Sequence, residues 1–573
     1  MKHELENALT AAVKELFGIE RTVELTRPEE RFGDYATNVA LQLAGPVGKN
    51  PREIADILAE KLCAELQSRV SEVTIAGPGF INLRLSGAAL VKMLRAEPAK
   101  SLQGKTVVAE YSDPNPFKVL HAGHLYTSVV GDAIANLLEQ AGATVHRVNF
   151  GGDVGLHVAK AMWAIVRELG GDEPEKLGDQ ALDKLAEIPE SERADWMARA
   201  YVAGTQAYDE DETAKAAIVT LNKRVYQLHN DDDHESAFAR IYWTCRQWSY
   251  DYFNAFYGRI GSRFEKYYPE SETAPLGLQT VREHIGDVYT ESDGAIVFEG
   301  EKHGLHTRVF INSEGLPTYE AKDVGLIMKK WQDYHFDTSV VITGNDIIEY
   351  MKVVLSSIAQ FQPELAERSR HLTHGIVKLA GGTKMSSRKG NFLRAVDVLE
   401  AANEANRQLV GKDNEQISLG AVKYAFLKVR MGGDIIYDPE ESVSLEGNSG
   451  PYLQYAHARA RSILRKAAES GGAESDSLKN PEAATIDLDT GERGLARKIS
   501  EYSEVIEKAT AELMPHHVCG YLYELAQTFN RFYEHNRVVG DPRQATRLTL
   551  VACYADTLQS GLRLLGIATP DKM

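Results

Sequence analysis

The chain has 573 residues, 43% hydrophobic and 25% charged, which excludes wholesale disorder and is too long for a single core, so three or four domains are expected. Sixty-four Lys and Arg against 82 Asp and Glu leave a net charge of −18, which argues against indiscriminate nucleic-acid binding because phosphate affinity comes from cations. Four scattered cysteines (Cys63, Cys245, Cys519, Cys553), no apolar run of bilayer length and no signal-type apolar stretch after Met1 lead to the expectation of a cytoplasmic protein without a membrane partner, a disulfide framework or a zinc site.

Residues 1–90 read as a small α+β module. Helical patterns at about 4–17 and 51–68 flank a turn at Phe32-Gly33-Asp34, and Val73–Ile75 and Phe80–Leu85 read as strands around Gly77-Pro78-Gly79. Residues 91–104 are a polar connector. From Lys105 the pattern becomes strand (106–111), Pro-containing loop (112–117), helix (about 121–138) and strand (144–150), a βαβ unit that favours a parallel sheet. It is interrupted at 161–240 by helical sequence with nine Lys and Arg against eighteen Asp and Glu, half of the whole net charge. We read this stretch as a solvated helical insertion rather than a cation site. Strand patterns resume at Thr338–Ile342 and Gly375–Leu379, and from Asp438 the chain is mostly helical. The expected fold is therefore multidomain α/β: a Rossmann-like doubly wound parallel sheet as catalytic core (105–440) with a helical insertion at about 161–255, an N-terminal α+β domain (1–90) and a C-terminal all-α helical bundle (441–573).

Two motifs carry chemistry. His121-Ala122-Gly123-His124 opens a helix after a strand, where helix N-termini face ligands. Two imidazoles three residues apart share the first turns, and Gly123 leaves room for a flat group to approach. Alone, the pair also fits a metal-binding HxxH or two ordinary surface histidines. The second motif is Lys384-Met385-Ser386-Ser387-Arg388-Lys389-Gly390 after Gly381-Gly382. It lies in a stretch, 371–395, with five cations and no acid, suited to closing on a polyphosphate.

In this order, on either side of an insertion, the motifs resemble the His-x-Gly-His and Lys-Met-Ser-Lys-Ser-type signatures of class I aminoacyl-tRNA synthetases. Further stretches resemble the arginyl-tRNA synthetase family over nearly the whole chain: Phe32-Gly33-Asp34-Tyr35-Ala36-Thr37-Asn38, Glu110-Tyr111-Ser112-Asp113-Pro114-Asn115, and Leu445 to Ala456. The resemblance implies ATP-dependent activation of L-arginine to arginyl-adenylate and transfer to tRNA(Arg), with ATP as its Mg²⁺ complex and no zinc. It implies that arginine activation can depend on bound tRNA, and family habit suggests a monomer. It assigns ATP to Lys118, His121, Gly123, His124 and the loop Lys384, Met385, Ser386, Ser387, Arg388 and Lys389. Arginine falls to Glu110, Asn115, Glu270, Tyr319 and Asp323. Contacts with tRNA fall to Asn38 in an elbow-binding N-terminal domain and to Tyr452 and Gln454 in an anticodon-binding helical domain. Physically, a planar cation is best read by carboxylates in fork geometry with an aromatic or hydroxyl partner. Ser387 stands where the family's loop has lysine, and Lys118 occupies a place from which the family compensates. Ile347 after Asp346 departs from a polar position, with Asn345 or Glu349 as possible substitutes. Alternatives are another class I synthetase, such as the cysteinyl type, whose zinc and cysteine ligands are missing here, and a non-catalytic tRNA-binding paralogue.

Overall fold

The computed structural model describes residues 1–66, 68–171, 173–380, 393–411, 413–469 and 487–572. At the N-terminus, helices Lys2–Phe17, Val39–Val47 and Pro51–Glu65 cover a three-stranded antiparallel sheet of Tyr35–Thr37, Phe80–Leu85 and Val70–Ala76. Its core is aliphatic, with Leu5, Leu9, Ile54, Leu58 and Leu83 wholly buried.

The central sheet has five strands, all parallel: β1 (Thr106–Glu110), β2 (Thr144–Gly151), β3 (Lys266–Pro269), β4 (Thr338–Gly344) and β5 (Ser369–His374), in the order β5-β4-β1-β2-β3. The chain starts at the centre, builds outward through β2 and β3, then returns to build β4 and β5 on the other side. The strand order therefore reverses between β1 and β4, and the crevice at their carboxyl ends is where such sheets bind ligands. Helix α1 (Ala122–Gln140) follows β1, and α6 (Glu270–Glu283) and α7 (Tyr319–Tyr334) follow β3. Between β2 and β3 run α2 (Leu156–Glu168), α3 (Arg193–Glu210), α4 (Glu212–Asn230) and α5 (Ala237–Ile260), with their own core around Met162, Ile165, Ile218, Val225 and Tyr242. Helix α8 (Ile348–Ala359) joins β4 towards β5.

The sheet departs from expectation at its edges. The expected strand 375–379 is not part of it: β5 ends at His374, and Val377–Leu379 pairs instead with Ile435–Tyr437. Asp434 Oδ1 takes the Ile376 N–H at 3.0 Å and Ile376 O takes the Ile435 N–H at 2.9 Å, which turns the chain out of the sheet. A separate antiparallel sheet of Thr290–Ser292, Ala295–Phe298 and Arg308–Ile311 was not anticipated.

Helices Gly450–Glu469, Thr490–Ser500, Tyr502–Glu512, His516–His535 and Gln544–Leu564 form the C-terminal part. Its core is continuous with one face of the sheet through α1, and Asn136 of α1 donates to Leu564 O at 3.0 Å. The N-terminal unit is bonded to it. Asp34, 1% exposed, accepts the Leu85 N–H at 2.7 Å and the Arg493 guanidinium at 2.5 Å, while Glu504 accepts from Arg27 and Tyr35, both at 2.6 Å. The turn read at Phe32-Gly33-Asp34 is thus an interdomain clamp.

Helices α6 and α7 cross at two glycines. A Cβ on Gly277 would lie 1.9 Å from Ala321 O, and one on Gly325 2.1 Å from Thr273 O. Helix α6 opens on Glu270 and α7 carries Tyr319 and Asp323 in its first five residues, all expected in the site, so this crossing sets their spacing. Gly325→Ala is expected to destabilise the protein by about 1–3 kcal/mol and to weaken arginine binding, read by thermal unfolding and calorimetric titration.

Candidate active site

The loop from β1 to α1 is strained. Ser112, Asp113 and Phe117 hold φ of 76°, 47° and 66°, a region that costs side-chain-bearing residues of order 1–3 kcal/mol each. Tyr111 donates to Asp132 at 2.6 Å and Ser112 Oγ meets the Tyr257 hydroxyl at 2.7 Å. Asp113 Oδ1 takes the Phe150 N–H at 2.8 Å, and Asn115 Oδ1 takes the Gly152 N–H at 2.7 Å. The loop is held by α1, α5, β2 and the residue just after β2, and Asn115 is one of its anchors.

His121 caps α1. Its Nδ1 accepts the N–H groups of Gly123 (3.1 Å) and His124 (3.4 Å), while His124 Nδ1 accepts the His121 N–H at 3.1 Å. This is a capping box built from two imidazoles, whose rings stack with centroids 3.7 Å apart. Burial, with the Lys118 charge adding, pushes the His121 pKa down to about 4; His124 lies well below its ordinary value, through burial and then His121. Both rings are therefore neutral. Because each Nδ1 accepts a main-chain N–H, the ring proton is assigned to Nε2, which makes both rings donors at the helix N-terminus. The flat group packed on Gly123 is the His121 imidazole itself: a Cβ there would meet its Cε1 at 2.8 Å.

The basic loop, with Lys384, Met385, Ser386, Ser387, Arg388 and Lys389, lies outside the described residues. Its flanks do not. Leu393 O accepts the Ala122 N–H at 2.8 Å and Leu120 O accepts the Ala395 N–H at 2.9 Å, so the segment that ends the loop is bonded to both sides of His121.

Beside this end of the sheet is a group of acids, Glu110 and Glu270 buried and Asp113 and Asp323 half-buried. Glu110 ends β1, 3% exposed, and receives the Lys330 ammonium, itself fully buried. Glu270 begins α6 and receives Lys322 Nζ at 2.5 Å, with both residues under 5% exposed. Burial pushes the Glu270 carboxyl up and Lys322 opposes this. Burial alone would lower the Lys322 ammonium, but Glu270 and Tyr226 outweigh it and hold it above its ordinary value. Asp323 accepts from Tyr350; burial pushes its carboxyl up to about 7, with Glu110 adding to the shift. Asp113 is raised well above the usual carboxylate range by burial and Glu110. Four carboxyl groups thus share two lysines. Tyr319, at the start of α7, is 58% exposed and stands 5.1 Å from Lys322 Nζ.

Sequence reasoning missed several of these partners. Lys322, Lys330 and Tyr350 were not singled out, although Lys322 adjoins Asp323. Asp153, just after β2 in Gly151-Gly152-Asp153-Val154-Gly155, was not singled out either. Its two oxygens take the Ser271 N–H (2.9 Å), the Ser271 hydroxyl (2.7 Å) and the Arg246 guanidinium (2.9 Å), which fixes the helix start that carries Glu270. Asn345 and Glu349 are engaged elsewhere, with Gly432 O and Lys352 respectively. Among the described residues no cluster of three or more His, Cys, Asp or Glu is arranged to hold a metal.

Away from the crevice, Asn38 accepts from Gln42 at 2.7 Å and lines a cleft of 670 Å³ with Phe32, Phe80 and Asn82. Tyr452 accepts from Asn530 at 2.8 Å. Gln454 corrects an expectation: it is fully buried, and its amide donates to Gln416 O and Ala568 O, so it ties the C-terminal segment down instead of facing a partner.

A parallel sheet with a reversed strand order, a histidine-capped helix after its first strand and an acidic pocket beside it define a class I tRNA synthetase. The family model for the class I (R) catalytic domain matches residues 87–438, that for the arginyl tRNA synthetase N terminal domain residues 1–85, and that for the DALR anticodon binding domain residues 453–573. The chain is 28% identical to the arginine–tRNA ligase of Porphyromonas gingivalis over 99% of both chains, and 27% identical to that of Bacteroides fragilis over 100% of both. The arginyl-tRNA synthetase of Thermus thermophilus superposes with a TM-score of 0.80 at 26% identity over the full length of both chains. That of Plasmodium falciparum gives 0.79 at 20% identity, covering 100% of this chain and 99% of its own. The chain belongs to the arginyl-tRNA synthetase family.

A cation entering the acidic pocket favours ionised Asp323, so binding expels that carboxyl's proton. L-arginine affinity is therefore expected to be flat above about pH 7 and to fall about tenfold per unit below it. Calorimetric titration across pH 5.5–8.5 measures this, and Asp323→Asn should abolish the slope along with most of the affinity.

Proposed function

We propose that the enzyme activates L-arginine with ATP to arginyl-adenylate, releasing pyrophosphate, and transfers arginine to the 3′-terminal ribose of tRNA(Arg). The observation that carries this reading is a capping box of two imidazoles at a helix N-terminus at the same end of the sheet as a group of four carboxyl groups. The first suits a polyphosphate and the second a doubly cationic amino acid.

The reaction needs no covalent enzyme intermediate. The arginine carboxylate attacks the α-phosphorus in line with departing pyrophosphate, so the protein's part is placement and charge stabilisation. Lys118, His121 and His124 would hold the triphosphate from the helix side, and Lys384 with Arg388 and Lys389 from the other. ATP enters as its Mg²⁺ complex. Asp323 and Tyr319 would take the guanidinium, with Glu270 behind them, while Glu110 and Asn115 face the α-amino and carboxylate end. Lys322 fits as the counter-ion that keeps Glu270 charged when the pocket is empty. A ligand without a planar cation would leave Asp323 without a cationic partner, a penalty of roughly 2–5 kcal/mol that lets the site reject lysine and apolar amino acids without editing.

For tRNA, the clamp from Asp34 to Arg493 supports a reading in which the N-terminal cleft around Asn38 and the C-terminal helices present one continuous surface. The cleft would take the elbow and the helices the anticodon arm, with Tyr452 among them. On this reading the enzyme works as a cytoplasmic monomer.

Pyrophosphate exchange with each amino acid, with and without total tRNA, tests the assignment. Exchange is expected with arginine alone and only when tRNA is present; exchange supported by another amino acid would overturn the specificity. In His121→Ala/His124→Ala, exchange should fall about a hundredfold or more while arginine affinity holds. Unchanged turnover in that double variant would remove the polyphosphate role.

A further inference from the structure

Lys118 differs from the other lysines of the site. Lys322 and Lys330 each meet a carboxylate, whereas among the described residues no carboxylate forms an ion pair with Lys118. Its ammonium instead sits 4.4 Å from the ring centroid of Tyr201, on helix α3 of the acidic insertion. The difference is chemical. A carboxylate cancels a positive charge; an aromatic face attracts it through the ring quadrupole and leaves the full charge for an incoming anion. The charge reaches the site, since it lowers the proton affinity of His121 and His124 and that of Glu270.

The insertion also fixes the backbone on both sides of this lysine. Ser249 Oγ of α5 accepts the Phe117 N–H at 3.0 Å, and the Tyr252 hydroxyl accepts the Leu120 N–H at 3.4 Å. Tyr201 is itself firmly placed. One turn on, Gly204 packs so closely on α2 that a Cβ would lie 1.9 Å from Lys160 O. Earlier in the same helix, Asp195 pairs at 3.1 Å with Arg394, whose backbone bridges to His121.

We propose that Tyr201 is a positioning residue for the activation step, holding the unneutralised Lys118 ammonium over the triphosphate site, and that the acidic insertion is thereby a structural wall of the ATP site. This rests on the reading of Lys118 as a triphosphate ligand given above. What the insertion offers Lys118 is a ring and not one of its acids.

A double-mutant cycle in tRNA-supported pyrophosphate exchange tests the proposal. Tyr201→Leu is expected to lower kcat/KM for ATP about tenfold while the calorimetric affinity for arginine stays as in the parent. Tyr201→Phe, which keeps the ring face, should restore exchange to within about twofold of the parent. In a Lys118→Met background the Leu substitution should cost nothing further. If Tyr201→Leu does not keep the parental thermal transition, Tyr201→Met, closer in reach and volume, replaces it in the cycle. Parental exchange in the ring-less variant, or a loss that persists undiminished in Lys118→Met, overturns the role of Tyr201 while leaving Lys118 as a ligand. Parental exchange in Lys118→Met itself removes Lys118 from the triphosphate site, and this inference with it.

Discussion

The conformation of six residues, Ser112 to Phe117, is the constraint on which the site depends. Three of them occupy left-handed backbone, which an isolated peptide of this sequence would leave. They stay there because α5, β2 and the residue just after β2 each contribute hydrogen bonds to the segment, while Asp132 of α1 holds the preceding Tyr111. The reward is placement. Glu110 lies two residues before the strained segment, Lys118 directly after it and His121 four residues after it. The residues proposed for the arginine end and for the ATP end of the site are thus positioned by one short loop, and the surrounding fold is the scaffold that keeps it strained.

Charge is the second organising term. The whole-chain figure of −18 is a poor guide to the partner. Half of it belongs to 161–240, while the C-terminal region 441–573 carries fifteen cations against eighteen acids. What matters is the arrangement in the crevice, where four buried or half-buried carboxyl groups outnumber the two buried lysines among them. Raised carboxyl pKa values at Asp113 and Asp323 are the cost of keeping such a pocket without a ligand, and a doubly cationic substrate relieves it. Neutral histidines a few residues away do the opposite work. Burial removes their charge, and the capping box orients their remaining proton.

The insertion connects the two terms. It supplies Arg246 to Asp153, which fixes the start of the helix bearing Glu270, and it supplies Ser249, Tyr252 and Tyr201 to the segment around Lys118. An acidic outer surface and a structural inner one coexist because helices present different faces to solvent and core.

Much was legible in the chain itself. The central βαβ unit could be read because β1 carries the buried apolar run Val107-Val108-Ala109, while β2, though it holds His146, Arg147 and Asn149, keeps β-branched and aromatic residues at Thr144, Val145, Val148 and Phe150. The family followed from two motifs in order, which local chemistry alone left ambiguous. Both strands that escaped notice, β3 with Lys-Tyr-Tyr-Pro and β5 with Ser-Arg-His-Leu-Thr-His, are edges of the sheet, half exposed and without a clear apolar pattern. The apolar run at 375–379 misled for the complementary reason, since a short apolar strand does not declare its partner. The sequence by itself determined which chemical groups are present and in what order: the histidines, the cations, the acids and the helix that carries them. Only the tertiary structure decided which of them meet. That Lys322 neutralises Glu270 while Lys118 faces a ring, that Gln454 is buried, and that Asp34 reaches Arg493 some 459 residues away are facts of packing. Pairing of this kind depends on long-range geometry, which no local spacing encodes.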